Sequence, residues 1–127
     1  MPPFSYRALA AGCLVALAAC ADLTARPEPL TKASAAARYH LQDQITGAPV
    51  GGRERKLPSG STWQAVGAIA EGDVYRPVGT ILTAEAMNVH EAYIVVRDRT
   101  WVGFWLPAES GFVDIAKPAA IDLTLEK

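Results

Sequence analysis

The strongest constraint on the fold lies in residues 89–107, VHEAYIVVRDRTWVGFWLP. β-Branched and aromatic residues, which favour extended backbone, fill both halves of this stretch around the charged pair Asp98 and Arg99. Two such halves separated by two polar residues predict a β-hairpin with a two-residue turn. A chain that contains this hairpin has to build the rest of its domain around a sheet.

A two-residue turn predicts a register in which both faces of the hairpin are apolar. Arg97 then pairs with Thr100, Val96 pairs with Trp101, and Tyr93 pairs with Phe104. One face carries Tyr93, Val95, Val102 and Phe104. The other face carries Ala92, Ile94, Val96, Trp101 and Trp105. A longer turn would shift the register by one residue and change both sets, so the register stays open.

A hairpin that is apolar on both sides has two interpretations. It normally lies in the centre of a β-sandwich or small barrel, covered above and below. Alternatively, one side stays open to receive a partner, because exposed aromatic side chains mark interaction sites. The candidate partner-binding residues are then Tyr93, Trp101 and Trp105, and Gly103 leaves a shallow gap between the two tryptophans.

Further strands are predicted on both sides of the hairpin. Short runs of β-branched and aromatic residues, separated by glycine, proline and charged residues, are typical of an all-β domain. These runs cover residues 62–70, 74–84, 112–115 and 121–125, and Pro118 separates the last two. We therefore predict a mainly β fold, a small antiparallel β-sandwich or barrel-like domain, over residues 34–127.

The start of that domain, SAAARYHLQDQIT, supports two local structures. The spacing of Ala37, Leu41 and Ile45 by four favours a helix over about residues 34–46. The alternation of Tyr39 with Leu41 is also compatible with a strand. The helix is the favoured expectation, so an α+β fold remains possible.

The N-terminus has the pattern of a segment that is removed. Residues 8–19 are apolar and follow Arg7, but a dozen residues fall short of the ~20 that cross a bilayer as a helix. A basic start, a short apolar stretch and small residues at its end predict a signal peptide over residues 1–19.

The end of this stretch, Leu17, Ala18, Ala19 and Cys20, resembles the lipobox of bacterial lipoproteins. The resemblance implies that signal peptidase recognises Leu17, Ala18 and Ala19, and that Cys20 receives the lipid and becomes the mature N-terminus. Two acyl chains give stable anchoring in a membrane. In enterobacterial lipoproteins an Asp directly after the cysteine retains the protein in the inner membrane. Ala21 stands there, which implies the outer membrane facing the periplasm, with the inner membrane or the cell surface as alternatives.

Residues 20–33 are predicted to be a lipidated N-terminus and flexible linker, because Pro27 and Pro29 lack amide hydrogens and disfavour regular structure. The 94 residues that follow suffice for one domain with a modest core. Cys13 lies in the signal peptide and Cys20 carries lipid, so the mature chain has no free thiol and no disulfide.

The charge balance argues against nucleic acid. The chain has 12 basic and 13 acidic residues, and only Arg7 is lost with the signal peptide. The basic cluster at residues 53–56, RERK, is short and is expected to be a solvated loop. Nucleic-acid binding needs a strongly basic face, so we expect no such partner.

No pattern in the chain points to catalysis. His40 and His90 are the only histidines, and neither has the spacing of a zinc motif. Ser59 and Ser61 lie outside a nucleophile-elbow pattern, and no phosphate-binding glycine loop is present. We expect a non-enzyme without metal or cofactor.

The expected function is that of a periplasmic lipoprotein anchored in the outer membrane. Its domain would act as a structural or interaction module of the cell envelope, for example within a secretion, conjugation or envelope-assembly complex, with another envelope protein as partner. The alternative is a lipoprotein that binds a small ligand or inhibits an enzyme. A concave pocket with convergent polar groups would favour the ligand, and a flat apolar strip would favour the protein.

Overall fold

The computed structural model describes residues 21–127, so the predicted signal peptide, the lipobox-like residues 17–19 and Cys20 lie outside the described residues. Within that range every regular element is a β-strand and the strand pairs are antiparallel. The predicted mainly β fold is therefore confirmed.

Thirteen strands follow one another along the described chain. They are β1 (Arg26–Pro27), β2 (Thr31–Lys32), β3 (Arg38–Leu41), β4 (Ile45–Gly47), β5 (Arg55–Leu57), β6 (Thr62–Ile69), β7 (Gly72–Pro77), β8 (Thr83–Glu85), β9 (Val89–Glu91), β10 (Tyr93–Arg97), β11 (Thr100–Leu106), β12 (Gly111–Ala120) and β13 (Leu123–Leu125). Nine of them form the main sheet, in the order β1-β12-β11-β10-β7-β6-β3-β13, with β2 paired to β6. The hairpins β4–β5 and β8–β9 form two small separate sheets.

The segment Arg26–Lys32, which we call the strap, connects two distant strands of the main sheet. Its first strand pairs with β12, where Arg26 faces Phe112, and its second strand pairs with β6, where Thr31 faces Ala68. The guanidinium of Arg26 also bonds Asp114 at 2.7 Å. Arg26–Pro27 and Thr31–Lys32 are thus part of the sheet, which corrects the expectation of a flexible linker for this part of residues 20–33. Pro27 is tolerated because β1 is an edge strand, where an amide hydrogen is not needed at every position, and Pro29 lies between the two strap strands.

Both faces of the main sheet are covered by apolar side chains. The larger buried cluster lies on one face and includes Leu41, Trp63, Ile94, Trp101, Phe104 and Ile115. Leu57 of β5 and Ala84 of β8 belong to it, so the two small hairpins help to cover this face. The smaller cluster lies on the other face and contains Ile69, Val74, Val95, Trp105 and Phe112, with Leu30 of the strap packed against it. The hairpin β10–β11 is therefore central, as its two apolar faces predict.

The predicted turn of this hairpin is confirmed, but its register changes beyond the turn. Asp98 and Arg99 both have positive φ, 50° and 59°, as a type I′ turn requires. Arg97 pairs with Thr100 as predicted. A bulge at Val102 then shifts the pairing, so Tyr93 faces Trp105 and the predicted pair of Tyr93 with Phe104 is wrong.

The shift redistributes the aromatic side chains between the faces. Trp101 and Phe104 share the larger cluster, and Trp105 joins the smaller cluster, against which Tyr93 packs. The two tryptophans therefore lie on opposite faces, which corrects the prediction that they share one.

The helix favoured over residues 34–46 is not formed. Arg38–Leu41 is a strand between β6 and β13, with His40 facing Thr62 on one side and Thr124 on the other. Pairing on both sides satisfies the backbone groups, and a spacing of three apolar residues is a weak helix signal by comparison. The predicted break at Pro118 is also wrong, because β12 continues to Ala120.

Candidate functional site

Trp101, a predicted partner-binding residue, is inaccessible. Its side chain is 0% exposed, its ring contacts Phe104 edge-on at 5.2 Å, and its indole N–H donates to the carbonyl of Gly103 at 3.0 Å. A buried indole whose single donor is satisfied inside the core has no free group to offer a partner. The predicted role of Trp101 in partner binding is therefore wrong.

The gap predicted beside Gly103 is filled from within. A β-carbon placed on Gly103 would overlap the ring of Phe112, which lies against the glycine. The missing side chain thus provides space for an aromatic ring of β12, and no surface depression remains there for a ligand.

Tyr93 and Trp105 do come together, on the face of the sheet that the strap partly covers. Their ring centroids are 5.9 Å apart and tilted by 34°. Trp105 is 6% exposed, and its indole N–H donates to the carbonyl of Glu28 in the strap at 2.9 Å. Tyr93 is half-buried. Of the three predicted partner-binding residues, these two border a surface groove.

This aromatic groove crosses four adjacent strands and has a volume of about 420 Å³. Trp105 of β11, Tyr93 of β10 and Arg76 of β7 line it in the order in which the strands lie in the sheet, and β6 adds Gln64, Ala65 and Val66. Leu30 and Lys32 of the strap, followed by Ala33, Ala35 and Ala36, also line it. Pro107, at the end of β11, extends the aromatic part.

A fixed cation lies in the groove among mostly apolar side chains. Nη2 of Arg76 donates to Oε1 of Gln64 at 2.8 Å, which holds the guanidinium in place. An arginine has five N–H donors in a planar fork that matches a carboxylate. Lys32 at the rim is exposed and adds a second positive charge. The groove therefore suits a ligand with an apolar or aromatic part and a negative charge.

A second polar cluster, which we call the N-terminal clamp, consists of Asp22, Asn88, His90 and Glu109. The imidazole of His90 contacts Asp22 through Nε2 at 3.1 Å and Glu109 through Nδ1 at 2.9 Å. The backbone and side-chain amides of Asn88 donate to the same Asp22 carboxylate at 3.1 and 2.8 Å. The His90 side chain is 17% exposed. The clamp holds the start of the described chain on the turn of the β8–β9 hairpin.

Charge and hydrogen bonding shift both titrating groups of the clamp. The pKa of Asp22 is held well below its usual range. The main cause is the hydrogen bond from the Asn88 side chain, and smaller contributions include the hydrogen bond of His90. Asp22 and then Glu109 raise the pKa of His90 above its ordinary value. Asp22 and Glu109 contact opposite nitrogens of the His90 ring, so the two carboxylates lie on different sides of that ring. Consistent with this, residues 21–127 contain no group of three histidine, cysteine or acidic side chains that could hold one metal ion.

Sequence reasoning identified Tyr93 and Trp105 but missed Gln64, Arg76 and Lys32. The last three lie in separate strands with no shared local pattern, and no sequence signal unites them. Ala21, expected to direct membrane sorting, is exposed at the first described position.

Comparisons of the chain with protein-family models, with curated proteins and with solved structures gave no match. Residues 21–127 contain no helix with the length and hydropathy that crossing a bilayer requires. A proposal for the function therefore rests on the chemistry of the groove and of the N-terminus.

Proposed function

We propose that the chain is a lipoprotein of the outer membrane that faces the periplasm, and that its β domain is a non-enzymatic interaction module. The lipobox-like residues 17–20 support the anchor, since they join a short apolar stretch to a cysteine that could carry the lipid. The aromatic groove supports the interaction. It brings aromatic, apolar and cationic groups together, and among these groove residues there is no paired acid and base that would suggest catalysis.

The partner that best fits the groove is an extended segment of another envelope protein. The groove crosses four strands and is open to solvent, whereas small-molecule sites enclose most of the ligand surface. Tyrosine, tryptophan and proline side chains form the usual platform for extended peptides. Arg76 and Lys32 favour a segment that carries an acidic residue.

The single observation that carries this proposal is the convergence of Tyr93 and Arg76 on one open face, where the nearly buried ring of Trp105 packs against Tyr93. Aromatic residues and arginine are the residue types that most often dominate binding energy at interfaces. Trp105 is held by its bond to Glu28, and Arg76 by its bond to Gln64. The support behind Tyr93 and the guanidinium of Arg76 are therefore pre-organised, which lowers the entropy lost on binding.

Binding of a small ligand or of an enzyme to be inhibited is the second candidate. The concave shape of the groove and its anchored guanidinium favour an anionic ligand of that kind. The same experiment separates the two candidates, because it reports the mass of what is bound.

The test is photo-crosslinking in living cells with a photoreactive amino acid in place of Ala35, which is exposed in the groove. Lys117, exposed on β12 and remote from the groove lining, is the control position. We expect a protein adduct from position 35 that is absent from position 117. Arg76→Gln and Tyr93→Ala should abolish it, and Arg97→Gln, an exposed arginine outside the groove, should leave it unchanged.

Adducts that form equally at both positions, or that survive both groove substitutions, would refute the interaction proposal. A small-molecule adduct that depends on Arg76 would replace it with the second candidate. Mass spectrometry of the protein extracted from membranes tests the anchor. An acylated N-terminus at Cys20 is expected, and an intact Met1 or another cleavage site would exclude it.

A further inference from the structure

Two exposed apolar side chains flank the first described residue. Val50 is 56% exposed and Met87 is 68% exposed. Ala21 lines one surface cleft with Val50 and another with Met87 and Arg53. Val50 belongs to the connection between β4 and β5, and Met87 belongs to the turn of the β8–β9 hairpin. We call Val50, Arg53 and Met87 the N-terminal patch.

The patch is held in place by one backbone bond between the two hairpins and one within the β4–β5 connection. The amide of Arg53 donates to the carbonyl of Glu85 at 2.7 Å, and the amide of Gly52 donates to the carbonyl of Pro49 at 2.9 Å. The N-terminal clamp adds the bond of Asn88 to Asp22. The two turns and the chain start therefore form one fixed surface.

We propose that the N-terminal patch is a membrane-docking surface that inserts Val50 and Met87 into the boundary between the headgroups and acyl chains of the bilayer. The inference rests on the proposed lipid anchor. Cys20 is one peptide bond from Ala21, so consecutive Cα atoms there are about 3.8 Å apart. Acyl chains that start at Cys20 therefore bring the surface around Ala21 to the lipid.

The charges around the N-terminal patch are compatible with binding to a bilayer. Arg53 is exposed beside Ala21 and Met87, where its guanidinium can bind a lipid phosphate. Asp22 and Asp114, the two acids of the cleft that Ala21 and Val50 line, are engaged within the protein, since Asp22 bonds His90 and Asp114 bonds Arg26. These partners offset the negative charges of Asp22 and Asp114 and so reduce the repulsion between the two carboxylates and the lipid phosphates.

Docking would give the anchored domain one orientation on the membrane. The N-terminal patch shares no lining residue with the aromatic groove. The groove stays accessible when the patch is in lipid, and it is presented to other envelope proteins at a set height above the membrane.

Fluorescence quenching tests the docking. The introduced cysteine in Met87→Cys or Val50→Cys is the only free thiol once Cys20 is acylated, and it can carry an environment-sensitive dye. Leu125→Cys is the matched control, because Leu125 is 54% exposed on β13, at the end of the main sheet opposite to β1. The acylated full chain is reconstituted into vesicles of phosphatidylethanolamine and phosphatidylglycerol that contain a nitroxide-labelled lipid.

We expect quenching at positions 87 and 50 to exceed that at position 125 by about threefold, because interfacial insertion reaches the acyl boundary. Equal quenching at all three positions, in protein that floats with the vesicles and has the acylated mass, would overturn the docking and leave the anchor intact. An unacylated mass would overturn both.

Discussion

The imidazole Nε2 of His90 and the carboxylate Oδ2 of Asp22 lie 3.1 Å apart, although 68 positions separate the two residues in the chain. Glu109 bonds the other ring nitrogen of His90. The contact joins the start of the described chain to β9. Residues beside the proposed site of lipidation therefore contribute to the stability of the folded domain.

The N-terminal clamp should weaken as the pH rises through the pKa of His90. Asp22 and Glu109 raise that pKa above its ordinary 6.5, so the folded state binds the proton more tightly than the unfolded state does. The resulting stability is fully present below pH 6.5 and is lost as the pH rises through the raised pKa. Urea unfolding across this range should therefore give a free-energy difference between the wild type and His90→Gln that shrinks with increasing pH.

Substitution of either carboxylate partner should lower the pKa of His90. The hydrogen bond of Asp22 is the largest single cause of the upward shift, and Glu109 adds both a hydrogen bond and its charge. NMR titration of the imidazole should thus show a decrease for Asp22→Asn and also for Glu109→Gln. An imidazole titration that is the same in Asp22→Asn as in the wild type would contradict the clamp.

Replacing Trp105 with phenylalanine should loosen the strap while the sheet stays folded. The phenyl ring keeps most of the packing, but the bond from the indole to the carbonyl of Glu28 is lost. The expected cost is about 1 kcal/mol, typical of a hydrogen bond. Hydrogen exchange should accelerate at the amides of Glu28 and Ala33, which bond Ser110 and Val66.

Trp101→Phe is the matched control for this effect on the strap. It also removes an indole hydrogen bond, but that bond ends on Gly103 within the larger cluster. We expect it to lower the global stability without selective acceleration at the strap amides. If the two variants gave the same exchange pattern, the specific role of Trp105 would be wrong.

Gly103→Ala should destabilise the domain by about 1–3 kcal/mol, as overpacking of a filled core does. The added β-carbon would overlap the ring of Phe112, and it would come within 2.5 Å of the carbonyl oxygen of Val113. Thermal unfolding measures the cost. Phe112→Leu in the same chain should recover part of it, and strictly additive losses would show that the ring is not the obstacle.

Arg99→Gly should stabilise the central hairpin by about 0.5–1 kcal/mol, because glycine adopts positive φ without the steric cost that other residues meet. Arg99 has a φ of 59° in the turn. Lys117→Gly, at an exposed position of β12 that is not among those with positive φ, should instead lose stability. Chemical unfolding of the two variants checks the opposite signs.

The sequence predicted the turn of the β10–β11 hairpin correctly, but it did not predict the register beyond the bulge. Polar residues between two apolar runs identify Asp98 and Arg99 as a turn, and the pairing of Arg97 with Thr100 follows from it. The bulge at Val102 lies next to Gly103, against which Phe112 of another strand packs. A contact of that kind leaves no periodic trace, so the register beyond the bulge could not be read from the hairpin alone.

The groove was predictable only in part. Tyr93 and Trp105 lie in the β10–β11 hairpin, where their aromatic side chains identified them as candidate partner-binding residues. Arg76 reaches the groove because β7 pairs directly with β10 and the β8–β9 hairpin is excluded from the main sheet. The order of strands in a sheet is a property of the whole fold, and local spacing around Arg76 does not contain it.

The pairing of Arg26 with Phe112 also governs when the domain can be completed. Because a chain is synthesised from its N-terminus, the strap is made before β12. Both strands of the strap have partners only after β12 has been made. Such distant pairing slows folding, because a long loop must close before the contact forms. A nascent chain that ends before Gly111 has no strand to receive Arg26 and Pro27. Those residues therefore remain without a strand partner, and open to any enzyme that acts on the N-terminal segment, until Gly111 and Phe112 have been synthesised.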